Sequence, residues 1–267
     1  MRVLFLGDVV GRSGHAAVCK RAKVLRESLR LDLLICNAEN AADGTGLTVR
    51  QFEALRTAGV DGVTMGDHAY RKRELLPLMA EDPHLIRPLN FPDDAVGRGW
   101  TILRGANGRD CAIFCVMGRT FMRPVDCPLR AIDRVLSKIP SEVSARLVDL
   151  HAEATSDKQL IARYVDGRVS AVLGTHTHVP TADAEILSRG TAYQTDVGMC
   201  GPHSGVIGRA YAPVLGASLR FEPNHYAVAA DDIRLNGALV EIKDDGTAGS
   251  IEPFHWRDGA ESGSASL

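Results

Sequence analysis

Aromatic residues make up only 5% of this 267-residue chain, and neither sign of charge dominates: 31 Lys and Arg stand against 33 Asp and Glu, a formal balance of −2. A protein that coats nucleic acid needs a basic surface, and a base-stacking platform needs aromatic faces. The sequence supplies neither, so no stable nucleic-acid coat is expected. Long apolar runs are also missing. Nothing approaches the roughly 18 uninterrupted apolar residues of a membrane span, so no membrane partner is expected either. The first residues, MRVLFLGDVVGRSG, carry too short an apolar run for a secretory leader, and Asp8 interrupts it before any small-residue cleavage site. The six cysteines, Cys19, Cys36, Cys111, Cys115, Cys127 and Cys200, form no CxxC pair. They read as reduced, mostly buried thiols, which places the chain in the cytoplasm. There is no long linker and no repeat of fixed period.

What remains is an ordinary soluble composition, 45% apolar and 24% charged, which excludes disorder for most of the chain. The length exceeds a modal domain but suits one large α/β unit. A single domain is expected over residues 1–257, followed by a Gly/Ser/Ala-rich tail at 258–267 that frays.

Short apolar runs alternate with amphipathic ones. Val3–Leu6, Leu31–Cys36, Val60–Met65, Arg146–Leu150 and Val169–Leu173 read as buried strands. Trp100–Leu103 and Ala112–Val116 read as a hairpin around Asn107-Gly108. Helical spacing is expected at Arg21–Leu29, after a Thr48 cap with Phe52, Leu55 and Ala58 on one face, and at Arg73–Met79, Leu129–Ile139 and Lys158–Tyr164. Further strands are expected at Ala184–Leu187, Thr191–Gln194, Tyr226–Ala229 and Ala238–Lys243. The order predicts an α/β fold with a largely parallel first half.

The metal-competent side chains fall at the ends of those strands: Asp8, Glu39 with Asn40, Asp67 with His68, His151, and His176 with His178. A single Asp after a strand is usually a cap, and a single His is usually satisfied in the core or on the surface. Several strand ends delivering such groups at once are not explained that way, because the carboxyl ends of parallel strands share one edge. Mixed oxygen and imidazole ligands suit Mn, Fe or Zn rather than an all-oxygen Mg or Ca cage. On an extended chain, His176 and His178 would point to the same side. Gly11-Arg12-Ser13-Gly14 lacks the Lys-Ser/Thr ending of a P-loop and reads as a turn beside Asp8.

Gly7-Asp8-Val9-Val10-Gly11, Asn37-Ala38-Glu39-Asn40, Gly66-Asp67-His68, Asp149-Leu150-His151 and Gly174-Thr175-His176-Thr177-His178 occur in the order of the calcineurin-like metallophosphoesterases. Thr195-Asp196-Val197-Gly198-Met199-Cys200-Gly201-Pro202 and Arg87-Pro88-Leu89-Asn90-Phe91-Pro92 narrow the likeness. With them the chain resembles the bacterial YmdB-like phosphodiesterases over nearly its whole length. The resemblance implies a four-layer α/β/β/α sandwich and two divalent or trivalent metal ions, iron or manganese. It implies that Asp8, Glu39, Asn40 and His178 hold one ion and that Glu39, Asp67, His151 and His176 hold the other, with Glu39 bridging. It implies a small phosphodiester substrate, best a 2′,3′-cyclic nucleotide, attacked by a metal-bridging hydroxide while His68 protonates the leaving group.

The chain departs from that family at one position, carrying Asp67 where the family has Asn. Two divalent ions, a bridging hydroxide and the carboxylates Asp8 and Glu39 leave one positive unit. Ionised Asp67 removes it, which should tighten metal binding and lower Lewis acidity. Arg119 in Gly118-Arg119-Thr120 and His203 in a Gly-rich loop are candidate substrate contacts, each balanced by a reading as an ordinary surface or loop residue. Three other readings compete with hydrolysis of a small phosphodiester, one of them cleavage of longer RNA, against which the neutral charge balance and few aromatics weigh. An amidohydrolase barrel would carry its HxH pair after the first strand. A metal-stabilised regulatory protein would bind cyclic nucleotides or RNA ends with weak turnover or none. Self-association into a homo-oligomer is compatible with all of these.

Overall fold

A computed structural model describes residues 1–221 and 223–259. The first third of the chain runs β1 (Arg2–Leu6), β2 (Asp8–Val9), α1 (Gly11–Ser28), β3 (Leu33–Asn37), α2 (Val49–Ala58), β4 (Gly62–Thr64), α3 (Leu76–Glu81) and β5 (Leu85–Ile86). The middle runs β6 (Trp100–Arg104), β7 (Asp110–Met117), α4 (Pro128–Leu136), β8 (Ala145–His151), α5 (Thr155–Val165) and β9 (Ala171–Thr175). The last part holds β10 (Glu185–Ile186), β11 (Ala192–Gln194), β12 (Met199–Pro202), α6 (Tyr211–Arg220), β13 (Ile233–Ile242) and β14 (Ala248–Arg257).

These strands make two sheets. One has eight strands in the order β2-β12-β13-β1-β3-β4-β5, with β14 paired to β13. The other has six, in the order β10-β11-β9-β8-β7-β6. Side-chain alternation shows why they stack. Leu4 and Leu6 of β1 join a core with Val18, Ala22 and Leu25 of α1 and Phe52 and Leu55 of α2. Val3 and Phe5 point the other way, into a second core with Ile113, Leu147 and Leu173 of the other sheet. From β7, Phe114 and Val116 turn outward to Ile132 and Val135 of α4 and Ile161 and Val165 of α5. Period-two alternation thus feeds three apolar layers. The expected four-layer α/β/β/α sandwich is what they form.

Most expected elements are present within a few residues, including the Asn107-Gly108 hairpin. Thr48 closes a full capping box with Gln51. Four differences stand out. The helix expected at Arg21–Leu29 begins at Gly11, so Gly11-Arg12-Ser13-Gly14 is its first turn and not a separate loop. Small residues on its buried face hide the apolar stripe, and they are required there: a Cβ on Gly14 would lie 2.2 Å from the Cys200 carbonyl oxygen. Tyr226–Ala229 forms no strand and is reduced to one bridge between Arg209 and Val228. β14 was not apparent because it carries Pro253, which an edge strand tolerates. α6 was missed because Tyr211, Leu215 and Leu219 face solvent, leaving no inward stripe. Of the expected tail, Asp258 is tied by its N–H to the Ile233 carbonyl, and residues 260–267 lie outside the described residues.

Candidate metal centre

Both sheets present their carboxyl edges to the same end of the molecule. From the larger sheet, Asp8 follows β1 and pairs through β2 with Met199 of β12. Glu39 and Asn40 follow β3, and Asp67 and His68 follow β4. From the smaller sheet, His151 ends β8, and His176 and His178 follow β9. All seven expected ligands, and His68, therefore meet where the two sheets face each other.

They fall into two sets that share Glu39. One ligand atom each from Glu39, Asp67, His151 and His176 lie within 4.8 Å of one another. Within that set, His151 Nε2 is 3.2 Å from Glu39 Oε1 and 3.2 Å from Asp67 Oδ1, and His176 Nδ1 is 3.5 Å from Asp67 Oδ1. On the other side, Asn40 Nδ2 lies 3.5 Å from Asp8 Oδ1, 3.5 Å from Glu39 Oε1 and 3.3 Å from His178 Nε2. His178 Nε2 is 3.7 Å from Asp8 Oδ1. Gly66 makes room for this: a Cβ there would lie 2.2 Å from His151 Nε2.

Groups behind the ligands aim them. Buried Asp149 accepts from Asn37 Nδ2 (2.9 Å), Thr64 Oγ1 (2.5 Å) and Thr175 Oγ1 (2.6 Å). Because the Thr175 proton is committed to Asp149, His151 Nδ1 donates to Thr175 Oγ1 at 2.9 Å, which leaves Nε2 as the ring nitrogen that faces the ligand cluster. The His176-Thr177-His178 segment is not extended. His176 and His178 sit at φ of 88° and 65°, left-handed values that cost a non-glycine residue roughly 1–3 kcal/mol. Asp196 holds that turn. Its Oδ2 accepts from Thr177 N (3.1 Å) and Thr177 Oγ1 (2.6 Å), and pairs with the fully buried Lys158 Nζ at 2.9 Å.

The electrostatics fit cations. Asp8 and Glu39 are wholly buried, and the only ionisable partners that could carry positive charge toward them are imidazoles; no Lys or Arg among the described residues pairs with either. Burial pushes the Asp8 carboxyl up to about 6, against the pull of His178 and His151. Burial works against the charge of Asp67 as well, but His151, His68 and His176 hold its carboxyl well below the usual range. Burial also opposes charge on His151, yet Glu39, Asp67 and Asp8 raise its proton affinity well above that of ordinary imidazole. Burial and the neighbouring His151 push His176 down to about 4. Protons are thus held where carboxylates crowd together without permanent counter-charge. A cluster of Glu, Asp and two His suited to metal ions meets that need directly.

His68 stands beside the cluster. Its N–H donates to Glu39 Oε2 at 3.0 Å, and its Nδ1 lies 2.8 Å from Asn40 Oδ1. His68 lines a cleft of about 410 Å³ together with Glu39, Asn40, His176, His178 and Arg209. His203 is half-buried in the wall of an adjoining cavity of about 600 Å³, where its Nδ1 donates to the Gly201 carbonyl at 2.8 Å and its Nε2 accepts from Asn236. Arg119 is not brought to the cleft lining. It is exposed on the loop after β7, where its peptide N–H donates to Asp157 Oδ2 at 2.8 Å. Sequence reasoning missed Lys158, Asp149 and Asp196 as supports and Arg209 as a cleft residue. The signal for Lys158 was a Lys on the apolar stripe of α5, beside Ile161, Ala162 and Val165.

The model of a family described as YmdB-like protein matches residues 4–254. The chain is 41% identical over 244 residues to a Bacillus subtilis protein named 2′,3′-cyclic-nucleotide 2′-phosphodiesterase, covering 91% of this chain and 92% of that one. A hypothetical protein of Thermus thermophilus has a solved structure with a TM-score of 0.91 and 43% identity, covering 96% of this chain and 99% of that one. A structure described as a novel phosphatase from Mycoplasma pneumoniae has a TM-score of 0.89 and 31% identity, covering 96% and 93%.

Two outcomes follow from this geometry. Burial raises the Asp8 carboxyl to about 6 in the metal-free chain, so its contribution to folding is fully present below the ordinary 3.8 and is lost as pH rises through about 6. Metal must displace that proton, so metal affinity should fall as pH drops below about 6; calorimetric metal titrations at pH 5 and 7 with equal affinities would contradict it. Lys158→Met leaves Asp196 buried and unpaired, and should cost about 3–5 kcal/mol by chemical denaturation and lower retained metal. A stability loss with full metal content would show that the pair does not hold the histidine turn.

Proposed function

Because the chain belongs to the YmdB-like family, we propose that it is a dinuclear metal-dependent phosphodiesterase acting on small phosphodiesters, foremost 2′,3′-cyclic nucleotides. The observation that carries this reading is the buried carboxylate–imidazole constellation at the facing strand ends, in a chain 41% identical to a protein named for that activity. Asp8, Glu39, Asn40 and His178 would hold one ion, and Glu39, Asp67, His151 and His176 the other, with Glu39 common to both. Iron or manganese is the assignment that the mixed donor set supports. When bound, the ions neutralise phosphate charge and lower the pKa of water.

The chain's own groups do the rest. His151 is held with its Nε2 forward by Thr175 and Asp149. His176 and His178 are fixed by the Asp196 turn. Asn40 turns Nδ2 toward the ligands and Oδ1 toward His68. Ligation through oxygen takes a half-turn of that amide, which then presents its NH₂ to His68 Nδ1. The imidazole proton thereby moves to Nε2, where it serves as a general acid for the leaving alkoxide. The site lies in a chain with six free cysteines, and no helix among the described residues is long and apolar enough to cross a membrane. Both features support a place in the cytoplasm.

The test is hydrolysis of 2′,3′-cyclic, 3′,5′-cyclic and aryl phosphodiesters by protein of known metal content. Turnover of 2′,3′-cyclic nucleotides should be lost on chelation, and His68→Ala should lose roughly 10²–10⁴-fold in kcat while keeping its metals. Tight binding of a 2′,3′-cyclic nucleotide by the fully loaded protein without cleavage would overturn the reading in favour of a binding protein. Asp67→Asn restores a positive unit to the centre, so metal content or the pH–rate profile should shift; if neither moves, the carboxylate has no electronic role.

A further inference from the structure

We propose that Arg209 is the anion-binding residue of the cleft, with the free edge of its guanidinium taking a phosphate oxygen of the substrate. The inference rests on the phosphodiesterase reading above and adds to it a residue outside the metal ligands. Among the described residues lining the cleft, Arg209 is the one Lys or Arg. Its charge is not spent on a carboxylate, since no ion pair includes it among the described residues. The side chain is instead fixed by backbone carbonyls: Nη1 donates to Asp43 O (3.2 Å) and Tyr226 O (3.0 Å), and Nη2 donates to Gly44 O (2.6 Å). The backbone beneath it is equally constrained. Val206 and Arg209 exchange both N–H···O bonds at 2.8 Å across Ile207 and Gly208, which take φ of 43° and 88°.

A guanidinium has five N–H donors in one plane. Three are used by those carbonyls. The Nε–H and the second Nη2–H find no acceptor among the described residues. Two such donors can meet two oxygens of a phosphate, or share one, and the three carbonyl bonds fix the guanidinium before any ligand arrives. Burial alone bears on the guanidinium and lowers its proton affinity, with no carboxylate opposing it. The charge of the centre gives this cation a task. Asp67 supplies a carboxylate where the resemblance expects an amide, so two divalent ions would leave the core close to neutral. An incoming phosphodiester then gains less from the centre and more from a fixed cation beside it. Arg209 supplies that unit.

Arg209→Ala and Arg209→Lys test this by metal analysis and by calorimetric titration of inorganic phosphate into the metal-loaded protein. Metal content should match the unaltered chain. Phosphate affinity should fall roughly 10- to 100-fold in Arg209→Ala, as for a lost charge-assisted pair. The loss should be smaller in Arg209→Lys, which keeps the charge but not the fork. Phosphate affinity within about twofold of the unaltered protein in a folded Arg209→Ala overturns the proposal, even if turnover falls through a loosened loop. If Arg209→Ala does not fold, undiminished phosphate affinity in Arg209→Lys overturns it equally. Arg209-dependent phosphate binding in a protein that cleaves no phosphodiester supports the anion site and sinks the phosphodiesterase reading.

Discussion

Two carboxylates buried side by side without a permanent cation are the constraint on which the rest of this structure depends. Asp8 and Glu39 have no solvent exposure, and among the described residues imidazoles are their only ion-pair partners. Bare ionised carboxylates in such a place would cost several kcal/mol each. In the metal-free chain that cost shows as raised proton affinity: burial raises it at Asp8, and the carboxylates around His151 raise it at the imidazole. Metal ions would meet the same cost with fixed positive charge. The mixed donors, the choice of imidazole over Lys or Arg, and the location at the strand ends all answer that one electrostatic need.

The two-sheet fold supplies the geometry. Neither sheet carries the whole site: Asp8, Glu39, Asn40 and Asp67 arrive from one, and His151, His176 and His178 from the other. The apolar layer of Val3, Phe5, Ile35, Ile113 and Leu147 sets the separation of the sheets, and so the spacing of the ligands. Close packing of that layer makes the spacing rigid. The strained histidine turn is kept by the Asp196–Lys158 pair, a buried ion pair whose use is positional. Strain tolerated at a site and supported from behind is a pattern that preorganised centres share.

Much of this was legible in the sequence, for a definite reason. The strands are short apolar runs, and each chemically competent residue sits at or just past the end of one, so β1, β3, β4, β8 and β9 and their eight candidate side chains could be placed together from the sequence. The parts that were not legible depend on information that spacing does not carry. The first turns of α1 are hidden because Gly11 and Gly14 are there to let β12 approach, not to make an apolar face. The His176-Thr177-His178 turn looks extended in sequence, and only hydrogen bonds to carboxylates distant in the chain, Asp8 and Asp196, bend it. Arg119 and Arg209 both follow apolar runs; what separates them is which loop folds back over the cleft, a matter of tertiary path.

The position of β13 carries a consequence for how the protein comes into being. Ile233–Ile242 lies between β1 and β12 in the larger sheet, so the first strand made by the ribosome waits for one of the last before it has neighbours on both edges. Asp8 depends on the same late arrival, because β2 pairs with β12, and β12 pairs with β13. Until those residues have emerged, β1 offers an open edge and the carboxylate beside it has no enclosing wall. Enclosure of the metal centre is therefore a closing event of synthesis, and a chain interrupted before β13 would display the ligand motifs without the chamber that gives them their chemistry.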